Sequence, residues 1–217
     1  MSDYKLVIFD CDGVLVDSEI ISCAAEAEAY TAIGYPISTQ EMARRFTGCA
    51  APDVDRALSA EIGREQPPSF RQAIKRKVLH KYRTELQPIT GAAQLLDALP
   101  LPKCVASSAA PAKLALGLVE TKLYERLYPY IYSTALVARS KPAPDIFRYA
   151  AAQMQVAPEH CLVVEDSVAG VTAARSAGMR CLGFSGGSHC SDEHGEQLLA
   201  AGAFAVVKHL AQVLDHV

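Results

Sequence analysis

Four stretches of this 217-residue chain end in side chains able to handle charge. The apolar run Leu6-Val7-Ile8-Phe9 stops on Asp10-Cys11-Asp12-Gly13, Cys104-Val105-Ala106 stops on Ser107-Ser108, and Cys161-Leu162-Val163-Val164 stops on Glu165-Asp166. The fourth places Lys141 directly before Pro142, which holds it out of the helical region. Two carboxylates as close as Asp10 and Asp12 raise each other's pKa unless a cation or a proton sits between them. Alternate residues at a strand end share a face, so the pair would reach one point while Gly13 lets the chain turn away. Cys11, pointing the other way, reads as packing. A lone Asp-x-Asp-Gly is equally a turn after a strand; the remaining elements decide between the two.

The tips meet if the runs before them are strands of one parallel sheet, where ligands bind at the carboxyl ends. Beyond Gly91 the pattern fits. Helices are expected over 92–99, from Pro111, over 144–153, 167–177 and 193–201, and to the C-terminus at Val217. Strands are expected over 104–107, 131–135, 161–164, 180–184 and 204–207. Between Asp17 and Pro88 no strand pattern appears. Ser18 is placed to cap a helix over 19–33, Ser38 or Thr39 a second that reaches Gly48, Pro52 opens a third, and Pro67-Pro68 precedes a fourth over 70–86. The expected architecture is an α/β, doubly wound parallel-sheet (Rossmann-like) core, residues 1–16 and 89–217, with an inserted all-helical cap domain, residues 17–88.

Four acids, a hydroxyl and a lysine on one sheet edge suit phosphoryl transfer at a metal ion. Mg²⁺ is the expected cofactor, because it prefers hard oxygen donors and takes only one or two carboxylates plus phosphate oxygens. One aspartate is then free to attack phosphorus, with the metal, Lys141 and Ser107 on the equatorial oxygens. A carboxylate two residues on can protonate the leaving oxygen and then activate water. Read singly, Ser107 is a turn residue, Lys141 a solvated lysine and Glu165-Asp166 an N-cap pair. Read jointly, those would be coincidences at neighbouring strand tips.

In order, Asp10-Cys-Asp12-Gly-Val-Leu-Val-Asp-Ser, Ser107 behind its strand, Ser140-Lys141-Pro-Ala-Pro-Asp-Ile-Phe and Val164-Glu165-Asp166-Ser-Val-Ala-Gly-Val resemble the four motifs of the haloacid dehalogenase superfamily of phosphatases. The likeness spans essentially the whole chain. It implies Asp10 as nucleophile and metal ligand, and Asp12 as general acid/base that also gives its carbonyl to the metal. It further implies Ser107 and Lys141 as phosphate binders, Asp166 as metal ligand, and Glu165 as a ligand directly or through water. The dehalogenases proper lack an acid at the second position, so Asp12 points to phosphate. β-Phosphoglucomutases share the Lys141-Pro-Ala-Pro-Asp wording and make a sugar phosphomutase the alternative. Their cap histidine, cap arginine and lysine–asparagine pair correspond here to Ser22, Ala51 and Ala110-Pro111, which favours hydrolysis. A catalytically idle binding protein on the same fold is a third reading. The likeness to sugar phosphatases, including those of 6-phosphogluconate and phosphoglycolate, implies a small phosphorylated metabolite as partner. Arg45, ahead of Phe46-Thr47-Gly48, is a candidate contact for an anionic leaving group, with Gly48 and Ser108 as further candidate substrate contacts.

A net charge of −3 leaves no electrostatic footprint for nucleic acid or a membrane surface. No apolar run is long enough to cross a bilayer, and Asp10 and Asp12 interrupt any signal-peptide core, so a cytoplasmic location is expected. Seven cysteines without a C-x-x-C pair argue for reduced thiols. His189-Cys190 with His194 invites a metal reading, but the Gly, Ser and Asp residues around them read as a surface loop. The basic segment with Arg71, Lys75, Arg76, Lys77, Lys81 and Arg83 reads as mostly solvated.

Overall fold

The structure, a computed structural model, describes residues 3–47 and 51–217. Six parallel strands form one sheet in the order β3-β2-β1-β4-β5-β6: β1 Leu6–Phe9, β2 Lys103–Ser107, β3 Ile131–Ser133, β4 Cys161–Glu165, β5 Arg180–Phe184 and β6 Ala205–Val207. The order reverses at β1, between β2 and β4, which is where a doubly wound sheet opens a crevice. Residue alternation divides the core. Val7 and Phe9 pack on one face with Leu95, Leu96, Leu114 and Leu118, while Leu6 and Ile8 pack on the other with Ile146, Phe147, Val171 and Ala174. Helices α5 (Ala92–Ala98) and α6 (Pro111–Glu120) thus cover one face. Helices α8 (Asp145–Gln153) and α9 (Val168–Ser176) cover the other.

Four helices separate β1 from the rest of the sheet: α1 Glu19–Ala32, α2 Thr39–Phe46, α3 Ala51–Ile62 and α4 Pro68–Glu85. They bury their own cluster of Tyr30, Met42, Val54, Leu58 and Ile74. The chain leaves and re-enters the core through adjacent strands of backbone, Asp17 N donating to Gln87 O at 3.0 Å and Ile89 N to Leu15 O at 2.9 Å. The cap is docked on the core as well, since Ile21, Tyr82 and Leu86 join the core cluster of Val7 and Phe9.

Several local expectations change. Ser38 caps α2 by accepting from Glu41 N at 3.1 Å, but Ser18 makes no side-chain cap bond and turns to Asp12 instead. The C-terminal helix is a 3₁₀ segment, Leu210–His216, and a one-turn α7, Tyr124–Leu127, precedes β3. Arg71 is not solvated: its guanidinium binds Asp55 through two nitrogens and Glu26 at 2.5 Å, tying α4 to α3 and α1. Helix α10 spans His194–Ala201.

Candidate active site

Strand pairing places the tips together. β1 pairs with β2 and β4, so Asp10 follows directly on a strand flanked by those that end in Ser107 and Glu165. Asp10 N donates to Val164 O at 3.0 Å, and the residue is only 7% exposed. Lys141, from the loop before α8, reaches in with 5% of its side chain exposed. Its Nζ lies 2.5 Å from Asp10 Oδ1, 2.6 Å from Glu165 Oε1 and 3.0 Å from Ala106 O. The ammonium, expected to be a solvated lysine if read alone, is the hub of the buried site. The attraction of Asp10 and Glu165 outweighs the cost of burying it and raises its pKa.

Glu165 spends both oxygens inside the protein. Oε1 takes Lys141, and Oε2 accepts from Ser167 N and Oγ, each at 2.9 Å. Gly170, in the first turn of α9, leaves the space it needs, as a Cβ there would stand 1.8 Å from Oε1. Glu165, expected as a metal ligand directly or through water, braces Lys141 and also stands in the acidic cluster with Asp10 and Asp166. Asp10 and Asp166 are the carboxylates with an oxygen to spare. The three acids still place carboxylate oxygens within 4.8 Å of one another, hard donors around a surplus of negative charge, and that donor set fits a small divalent cation. The strain shows on Asp10. Burial pushes its pKa well above the usual range, Lys141 opposes the rise, and the charges of Glu165 and Asp166 add to it.

Asp12 sits in a different field. It accepts from Ser18 Oγ at 2.5 Å and Tyr82 OH at 3.2 Å, and Lys113 Nζ stands 3.1 Å away. Ser107 Oγ lies 3.5 Å from its other oxygen and accepts from Ala109 N at 3.0 Å. Burial disfavours its charge, but Lys113 and the hydroxyls outweigh burial and hold the carboxyl below its usual range. Cys11, between the two aspartates, is buried in the core as expected.

Asp166, at the start of the turn into α9, is 4% exposed, and its Oδ2 lies 3.0 Å from His189 Nε2. Gly13 makes this approach possible: its φ of +80° is a left-handed conformation, and a Cβ would stand 1.9 Å from Asp166 Oδ2. The loop of His189 is fastened to the start of the cap by Ser188, whose backbone N–H donates to Asp17 at 3.1 Å.

The outer candidates fare differently. Ser108 is exposed beside the site. Arg45 is not free for a leaving group, because Glu61, Glu41 and the Tyr35 hydroxyl engage its guanidinium within the cap. Gly48 lies outside the described residues. Lys113, Tyr82, Ser18 and His189 also neighbour the site. Lys113 follows Ser107 by six residues, in the first turn of the next helix, which is a usable signal; Tyr82 comes from α4, far along the chain, and has none.

Fold and site together are those of a capped α/β enzyme built around carboxylates and a lysine at a switch point. Residues 4–178 match the family model of haloacid dehalogenase-like hydrolases, and the chain belongs to that family. It is similar to a 6-phosphogluconate phosphatase of Escherichia coli (strain K12), 31% identical over 200 residues that cover 92% of this chain and 88% of the relative. A conserved haloacid dehalogenase-like protein of unknown function from Agrobacterium tumefaciens superposes with a TM-score of 0.92 at 38% identity, over 98% of this chain and 97% of that one. A haloacid dehalogenase family hydrolase from Deinococcus radiodurans R1, solved with bound phosphate and sodium, gives a TM-score of 0.86 at 30% identity, over 98% and 94%. Among the described residues, no helix is long and apolar enough to cross a membrane.

Proposed function

We propose that this chain is a Mg²⁺-dependent phosphatase that hydrolyses a small phosphate monoester, a sugar phosphate or phosphorylated sugar acid, through an aspartyl-phosphate on Asp10. One observation carries the reading: a buried Asp10 held 2.5 Å from Lys141, with Asp166 in the same carboxylate cluster and Asp12 two residues on. Asp10, Asp166 and the Asp12 carbonyl would hold the cation, which when bound offsets negative charge on the phosphate and on the carboxylates.

Asp10 attacks phosphorus, and the bond to the leaving oxygen breaks as that oxygen takes a proton from Asp12. Lys141 and Ser107 bind phosphoryl oxygens, and Lys141 opposes the rise that burial imposes on the Asp10 pKa. Asp12 then removes a proton from water, which attacks the phosphoryl group, restores Asp10 and releases phosphate. The ionised Asp12 suits this second step directly. The first requires a proton on it, which a dianionic phosphate brought alongside would favour. The cap, residues 17–88, closes the site and contributes Ser18 and Tyr82 to the hydrogen bonds of Asp12.

Phosphate release from a panel of phosphorylated sugars and sugar acids tests the proposal. Release that is lost on chelation and in Asp10→Asn is the expected result, and no release from any ester would overturn it. Lys113 is an extra cation that a second phosphate could meet, and it is the observation that favours a phosphomutase instead. Conversion of a hexose 1-phosphate to its 6-phosphate, stimulated by a bisphosphate, would decide for that reading.

A further inference from the structure

We propose that His189, Cys190 and His194 form a second cation site, selective for a borderline or soft divalent ion of the zinc class, whose occupancy draws on Asp166. Each of the three offers a donor atom within 4.8 Å of the others. His189 Nε2 lies 3.4 Å from Cys190 Sγ and 3.0 Å from Asp166 Oδ2. Tetrahedral zinc, with Zn–N and Zn–O near 2.0 Å and Zn–S near 2.3 Å, requires N···S of about 3.5 Å and N···O of about 3.3 Å. The observed separations are close to both. The His194 ring stands edge-on to that of His189, with centroids 5.6 Å apart. Its Nε2 meets the Asp166 carbonyl at 2.5 Å, the outer contact that orients ligating histidines, and this leaves the other ring nitrogen for an ion.

Two further observations separate this cluster from an ordinary loop. The His189 side chain is fully enclosed, yet its Nδ1 is a buried atom without a hydrogen-bond partner, so the ring is positioned for what Nε2 meets. Cys190 also lines a surface cavity of about 340 Å³ with Ser185, Asp192, Glu196 and Lys208, so one donor of the cluster borders open space. Nitrogen and sulfur donors exclude Mg²⁺, so the two sites sort their ions by softness. The coupling to Asp166 rests on the function proposed above: an ion that takes Oδ2 draws on the carboxylate whose other oxygen serves the phosphate site, and lowers turnover.

Binding is read without turnover by titrating Co²⁺ into the full chain. A thiolate-to-cobalt charge-transfer band, displaced by Zn²⁺, absent in Cys190→Ser and weakened on the order of tenfold or more in affinity in His194→Ala, is the expected result. No thiolate band, or a band unchanged in Cys190→Ser, would overturn the site. His194→Ala serves as the test should Cys190→Ser not fold. Zn²⁺ at saturating Mg²⁺ is expected to inhibit the wild type and not Cys190→Ser, whose basal activity stays intact. Equal inhibition of both overturns the coupling. Failure of the phosphatase reading would leave the cobalt signal in place, so the two are distinguishable.

Discussion

Asp10 and Asp12 are two residues apart and have pKa values shifted in opposite directions: burial, with two other carboxylates, raises the first, and Lys113 and two hydroxyls outweigh burial at the second. That asymmetry makes their substitutions distinguishable. Asp12→Asn keeps Asp10, the proposed nucleophile, so turnover is expected to fall about 10²–10⁴-fold with the fold intact; steady-state kinetics with a denaturation control checks it. Lys141→Met strands Asp10 and Glu165 in the interior without a cation. A loss of about 3–5 kcal/mol at neutral pH is expected. The deficit should shrink as pH falls, since Asp10, whose pKa burial already raises, then takes up a proton, and urea unfolding at a series of pH values measures it.

At the scale of elements, the site depends on how tightly its turns are packed. Gly13→Ala adds a Cβ 1.9 Å from Asp166 Oδ2 at a φ of +80°, so both the turn and the Asp166 carboxylate must move. A destabilisation of about 1–3 kcal/mol with a larger fractional loss of activity is expected, from thermal melts and phosphate release on the same preparation. In the cap, Arg71 joins α1, α3 and α4 through Glu26 and Asp55. Burial raises the Asp55 pKa, but hydrogen bonds from Arg71 and Tyr30 outweigh it and leave the carboxyl below its usual range. A depressed acid contributes stability that is present above its unfolded pKa and lost as pH falls through the folded one. Arg71→Met should therefore cost about 1–3 kcal/mol near pH 7 and progressively less below about pH 4. A penalty that did not change with pH would sink this account.

For the whole molecule, binding of the proposed cation would be linked to folding. An ion that binds the folded state alone stabilises it by about 2.7 kcal/mol at a hundredfold excess over its Kd. Mg²⁺ should raise the melting temperature of the wild type, and Asp166→Asn should abolish most of that shift. Much of this was legible in advance. The apolar runs ending on Asp10, Ser107 and Glu165 gave away the parallel sheet and the strand tips that bring these side chains together, because burial patterns and strand periodicity are local and survive without coordinates. Lys141 was placed by its prolines and its motif. What local pattern could not carry was the use each charge is put to. Glu165 became the brace of Lys141, Arg45 was absorbed by Glu61 within the cap, Ser18 left its helix for Asp12, and His189 sank beneath a loop that reads as polar surface. Those outcomes depend on which side chains a folded chain brings within about 3 Å of each other. Partners such as Tyr82 and Asp12, 70 residues apart, become neighbours only when the cap docks on the sheet.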